Sequence, residues 1–136
     1  MTSERSTVAV PGSPVPTSAI PRLRAIADRA VKTHGGAAPS WISAVVTTQE
    51  KALASVNGGS GPGGNTVVYL VTMKGHFTWP RAGPVPLSGQ RAHAPTGHYL
   101  YVMVSARTFD QIARGLRPSP PPVAPSSLGL VTWLKR

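Results

Sequence analysis

Residues 66–77, Thr-Val-Val-Tyr-Leu-Val-Thr-Met-Lys-Gly-His-Phe, are the longest run of strand-favouring side chains in the sequence. Side chains alternate across a strand, so Val67, Tyr69, Val71 and Met73 share one face. Val68, Leu70 and Thr72 share the other, with Lys74 and His76 following toward the end. Both faces are apolar through the middle and no Pro interrupts the run, a pattern that predicts an inner strand covered on both sides. Residues 41–48 repeat the alternation, with Trp41, Ser43, Val45 and Thr47 against Ile42, Ala44 and Val46. Residues 98–105 set Leu100, Val102 and Val104 against Tyr99, Tyr101 and Met103; residues 106–110 then turn the chain and residues 111–116 return as a short strand. Earlier, the period is helical: Ile20, Leu23, Ala27, Ala30 and Val31, with Ile26 alongside, form a stripe that leaves Arg22, Arg24, Asp28, Arg29 and Lys32 mostly outside it. Thr17 or Ser18 can cap this helix, Pro21 suits its first turn, and Gly35-Gly36 can end it.

The connections set the architecture. Residues 49–56 fit both a strand continuing after a bulge and a helical turn. Residues 57–64, Asn-Gly-Gly-Ser-Gly-Pro-Gly-Gly, read as a linker: no Gly-Lys-Ser or Gly-Lys-Thr closes them, and a strand follows where a phosphate loop needs a helix. Residues 79–97 make an excursion too long for a tight hairpin. The order predicts an α+β domain over residues 17–118, one N-terminal helix packed on a four-stranded antiparallel sheet. Residues 1–16 read as a disordered lead, and residues 119–136 as a Pro-rich spacer with an apolar tail of Leu128, Leu130, Val131, Trp133 and Leu134. A single helix covers a single face, so the apolar second face invites either a partner or the tail. A docked tail would be anchored chiefly by Trp133; the alternative is a frayed terminus.

Charge and cysteine content narrow the function classes. Fourteen Lys and Arg against four Asp and Glu give a formal charge of +10, which favours acidic partners such as nucleic acid, anionic lipid or other anionic polymers. The bland counterpart is general basicity without any such partner. The basic residues are scattered in runs of at most two, so one dimension shows no patch. The absence of Cys excludes disulfides, thiolate metal sites and a Cys nucleophile. No stretch of eighteen apolar residues occurs, hence no membrane-spanning helix is expected. Residues 1–16 lack the apolar centre of a secretory signal, so the expectation is either a cytoplasmic chain or one that begins after a removed leader.

Catalytic chemistry finds little support. Glu50 and Asp110 are the only carboxylates in the strand region and both fall near strand ends, which argues against a paired acid–base site. No Gly-x-Ser-x-Gly elbow is present, so the reading is a protein that is not an enzyme and needs no cofactor. His76, His93 and His98 bracket the long excursion, yet no Asp or Glu lies near to orient an imidazole shell, and no metal is expected. Lys74, Arg81 and Arg91 with Trp79, Tyr99 and Tyr101 interleave cations and aromatics, the types that hold phosphates and stack bases, without the spacing of a known nucleic-acid motif. Candidate partner or anion contacts are therefore Lys74, His76, Trp79, Arg81, Arg91 and Trp133.

The helix, the strand Val-Tyr-Leu-Val-Thr-Met-Lys-Gly-His-Phe and residues 104–116, Val-Ser-Ala-Arg-Thr-Phe-Asp-Gln-Ile-Ala-Arg-Gly-Leu, resemble a group of small actinobacterial exported proteins. More distantly they look like PepSY-type domains, in which a strand ends in a Val-Asp-Ala-x-Thr-Gly turn before a short final strand. The resemblance spans about residues 17–116. It implies an extracytoplasmic binding or inhibitory module acting on a protein partner; the alternative, drawn from the charge and the interleaved cations and aromatics, is a basic module for nucleic acid or another anionic polymer. Ser105 stands where that pattern has Asp, and Phe109 where it has Gly. Positive φ at that Gly would strain Phe109, so a different turn geometry is expected, and the register of the last hairpin stays open.

Overall fold

The computed structural model describes residues 10–35, 38–57, 66–78, 96–117 and 127–135. A 3₁₀ turn (Thr17–Ala19) leads into α1 (Ile20–Thr33); then follow β1 (Trp41–Thr48), α2 (Gln49–Asn57), β2 (Val67–Thr78), β3 (Thr96–Ser105), β4 (Gln111–Arg117) and β5 (Thr132–Lys135). The strands form one antiparallel sheet in the order β4-β3-β2-β1-β5, with β2 at its centre as its doubly apolar pattern requires. The architecture is thus α+β with an antiparallel sheet, but of five strands rather than four.

Pro21 lies in the first turn of α1, where its missing N–H costs nothing. Neither Thr17 nor Ser18 caps the helix with its side chain: the position before Ile20 is Ala19, and the Ile20 N–H donates instead to the Thr17 carbonyl. Leu23, Ala27, Ala30 and Val31 bury the predicted stripe against one sheet face. Below them lie Ile42, Ala44 and Val46 of β1, Tyr69, Val71 and Met73 of β2, Leu100, Val102 and Val104 of β3, and Leu134 of β5. His34 closes the helix. Its N–H is shared between the Ala30 and Val31 carbonyls, its Nδ1 lies 3.1 Å from the Thr78 carbonyl, and its own carbonyl accepts from Thr78 N–H at 3.0 Å. The end of α1 is thereby clamped to the end of β2.

Residues 49–57 resolve the open alternative as a helix. α2 crosses one end of the second face, where Ala52 and Leu53 pack with Val45, Val68, Leu70 and Met103, and Leu128 joins them. The second face is therefore covered at this end instead of wholly bare.

The tail departs most from expectation. It does not lie flat on the second face; it adds a strand at the β1 edge, pairing Thr132 with Ala44, Trp133 with Ser43 and Lys135 with Ile42. Period-two alternation then sends Leu134 into the α1 core at 6% exposure and leaves Trp133 41% exposed, so Leu134 is the buried anchor. Arg24 Nε donates to the Leu134 carbonyl at 3.2 Å. Residues 10–16, expected to belong to a disordered lead, pack beside this strand. Val15 is buried in the core, Gly12 N–H donates to the Val46 carbonyl at 2.9 Å, and Leu130 N–H donates to the Gly12 carbonyl at 3.2 Å. Gly12 and Gly129 allow the two backbones to meet, since a Cβ on Gly129 would stand 2.5 Å from Gly12 Cα.

The β3–β4 turn keeps its tight form despite both departures. Ser105 Oγ accepts from the N–H groups of Arg107 (3.2 Å) and Thr108 (3.3 Å), so a short side chain with an acceptor oxygen suffices where the pattern has Asp. Phe109 adopts φ 65°, the left-handed conformation itself, contrary to the expected change of geometry. That conformation costs a non-Gly residue on the order of 1–3 kcal/mol. Its ring offsets the cost by stacking on Tyr69 at 5.7 Å, with the Arg22 guanidinium 4.8 Å from its centroid. The hairpin register is set by Tyr99 opposite Arg117 and Leu100 opposite Leu116, with an irregularity between Met103 and Val104.

Candidate functional site

The second face is the one that α1 leaves free, and α2 reaches only its Val45–Leu70 end. At the opposite end, one cross-strand row runs through four strands. Trp41 of β1 pairs with Lys74 of β2, Lys74 with Tyr99 of β3, and Tyr99 with Arg117 of β4. Directly opposed residues in an antiparallel sheet project to the same side, so aromatic and cation alternate across the row. Trp133 extends it on β5, its ring edge-on to Trp41 at 5.6 Å and 87°.

The rings are held in place by the sheet. Trp41 and Tyr99 lie two strands apart, about 10 Å at the backbone, yet their ring centroids are 6.4 Å apart. The two rings therefore approach each other over β2 at the level of Lys74. One row inward, Ser43, Thr72, Tyr101 and Gly115 line up. The Tyr101 ring lies over Gly115, filling the space a Cβ would take. Trp41 is half-buried, and Lys74 is exposed with no acidic partner among the described residues.

Of the residues singled out from sequence, Lys74 and Trp133 belong to this surface, linked through Trp41. His76 lies beyond it, within the irregularity between Lys74 and Phe77, where its exposed ring meets that of His98 at 4.7 Å. His93, Trp79, Arg81 and Arg91 lie outside the described residues. No group of three His, Cys, Asp or Glu able to hold a metal occurs among the described residues. Glu50 opens α2 and Asp110 sits in the β3–β4 turn.

Trp41 and Arg117 escaped the sequence reading as site residues. The parity of Trp41 was visible, on the Ser43 and Val45 side, but membership of the row depends on strand register. No helix among the described residues is long and apolar enough to cross a membrane. No protein-family model, curated protein or solved structure matches the chain.

Proposed function

We propose that this protein is a non-enzymatic binding module whose contact surface is the Trp41–Lys74–Tyr99–Arg117 row with Trp133, and that its ligand is an anionic polymer bearing planar rings, single-stranded nucleic acid in particular. The carrying observation is the alternation of aromatic and cation across four paired strands. Such a row offers ring faces for bases and cations for the intervening phosphates, without reading sequence. The formal charge of +10 supplies long-range attraction for the same ligand.

A protein partner is the second reading, favoured by β4. Among the described strands it is a sheet edge, and Ile112 on it is 38% exposed. An extended segment could add to such an edge by backbone pairing.

Fluorescence anisotropy with a labelled single-stranded oligonucleotide separates the two. Nucleic-acid binding should weaken steeply with salt, by about 0.7 log units of affinity per log unit of salt for each phosphate contacted. Tyr99→Leu should lose about 1–3 kcal/mol of stacking, and Lys74→Gln should flatten the salt slope. Equally weak binding at low and high salt, or variants indistinguishable from the parent, would remove the nucleic-acid reading and leave the β4 edge in front.

A further inference from the structure

On the α1 side of the sheet, remote from the aromatic row, a cavity of about 320 Å³ is lined by Ser18, Ala19, Arg22, Tyr69, Ala106, Arg107 and Phe109. Three elements build it: the entry into α1, the start of β2, and the β3–β4 turn. We propose that this cavity binds a small phosphomonoester, with its phosphate held between Arg22, Arg107 and the hydroxyl of Tyr69.

The lining is cationic without compensation. Among the described residues it contains two guanidinium groups and no carboxylate, and neither Arg22 nor Arg107 forms an ion pair there. The first turn of α1 adds no acid, and no side chain caps its N–H groups. The positive end of the helix therefore adds to the field of the arginines.

Tyr69 supplies an independent observation. The residue as a whole is 1% exposed, but its hydroxyl is not among the fully buried polar atoms that lack a partner. Tyr69 lines the cavity, so its phenol is open there to donate to a ligand. Burial also raises the pKa of Tyr69, which keeps it a donor at neutral pH. Ser18 offers a further hydroxyl.

Geometry favours phosphate over carboxylate. The donors come from three separate elements, an arrangement suited to the several oxygens of a phosphate more than to the single plane of a carboxylate. Phe109 fixes the arrangement: its ring stacks on Tyr69 and takes the Arg22 cation on its π-face, positioning that guanidinium without consuming it in an ion pair. The cavity volume leaves room beyond the phosphate for a small organic group.

Amide NMR of the full chain, titrated with inorganic phosphate at pH 7.5 and separately with acetate, tests this directly. Saturable shifts at Ser18, Arg22 and Arg107 are expected with phosphate. Arg107→Gln, an exposed turn position, and Tyr69→Phe, which keeps the ring, should each weaken binding about tenfold, as expected for lost hydrogen bonds to a charged group. Lys74→Gln should leave it unchanged, which separates this site from the sheet face. Three results would overturn the proposal: shifts that do not saturate or that spread over the basic surface, an Arg107→Gln protein that responds like the parent, or acetate binding as tightly as phosphate.

Discussion

Leu134 and Leu130 lie four residues apart in the same terminal segment, and the structure assigns them opposite roles. Leu134 is 6% exposed beneath α1, whereas Leu130 is 58% exposed. Leu134→Ala removes three carbons from a core contact, worth about 0.8 kcal/mol each, or about 2.4 kcal/mol of transfer free energy. The additional cavity penalty should be small, because a four-residue edge strand can settle into the gap. A loss of about 2–3 kcal/mol corresponds to a melting temperature about 10 °C lower in a chain of this size. The loss also has a ceiling. It cannot exceed the free energy that holds β5 on the sheet, since beyond that point the strand detaches and the remaining fold stands alone. Leu130→Ala removes the same atoms from solvent and should change stability by less than about 0.5 kcal/mol. Thermal melts of both variants provide the comparison. Hydrogen exchange adds the location, because the β1 amides facing β5 should lose protection in Leu134→Ala while the β2–β3 ladder keeps its own. Equal losses in the two variants, or a Leu134→Ala midpoint within about 2 °C of the parent, would refute edge-strand docking.

Two further outcomes follow from the core and from its buried imidazole. Val71 is fully buried at the centre of β2, between Ala44 and Val102; Val71→Asp should cost about 3 kcal/mol or more, and an unchanged melt would mean that this strand is not the core. Burial lowers the pKa of His34 below its ordinary value of 6.5, helped by the Arg114 charge and opposed by the Thr78 carbonyl. The unfolded chain therefore binds the proton more tightly, and the stability linked to His34 is complete above about pH 6.5 and lost as pH falls toward the folded pKa. Melts at pH 7.5 and 5.5 should differ more for the parent than for His34→Gln; equal differences would show that His34 does not carry the dependence.

The functional expectation shifted with the structure. A binding or inhibitory module for a protein partner led the sequence reading, as the resemblance to PepSY-type domains implies, with the apolar second face as its candidate surface. With α2 and Leu128 covering the apolar end of that face, the aromatic and cationic row at the other end is the surface on which we propose an anionic ligand.

Alternation within residues 66–77 was enough to place β2 in the interior, because a strand apolar on both faces is stable only with cover on both. The α1 stripe likewise fixed which helix face is buried, since 3.6-residue spacing brings Leu23, Ala27, Ala30 and Val31 together whatever they meet. Residues 49–56 carried no such constraint. Their short pattern suits two conformations equally, and it was packing of Ala52 and Leu53 on Val45 and Leu70 that selected the helix. Strand β5 has too few residues to hold itself together, so its existence depends on the open β1 edge and on the space under α1 that Leu134 fills. Both candidate sites are tertiary for the same reason. Parity says which side of its own strand a residue takes, but only register sets Trp41 beside Lys74 and Tyr99 beside Arg117. Only the fold brings Arg22 from a helix to Phe109 in a turn 87 residues later (109 − 22), a distance along the chain over which local sequence exerts no force.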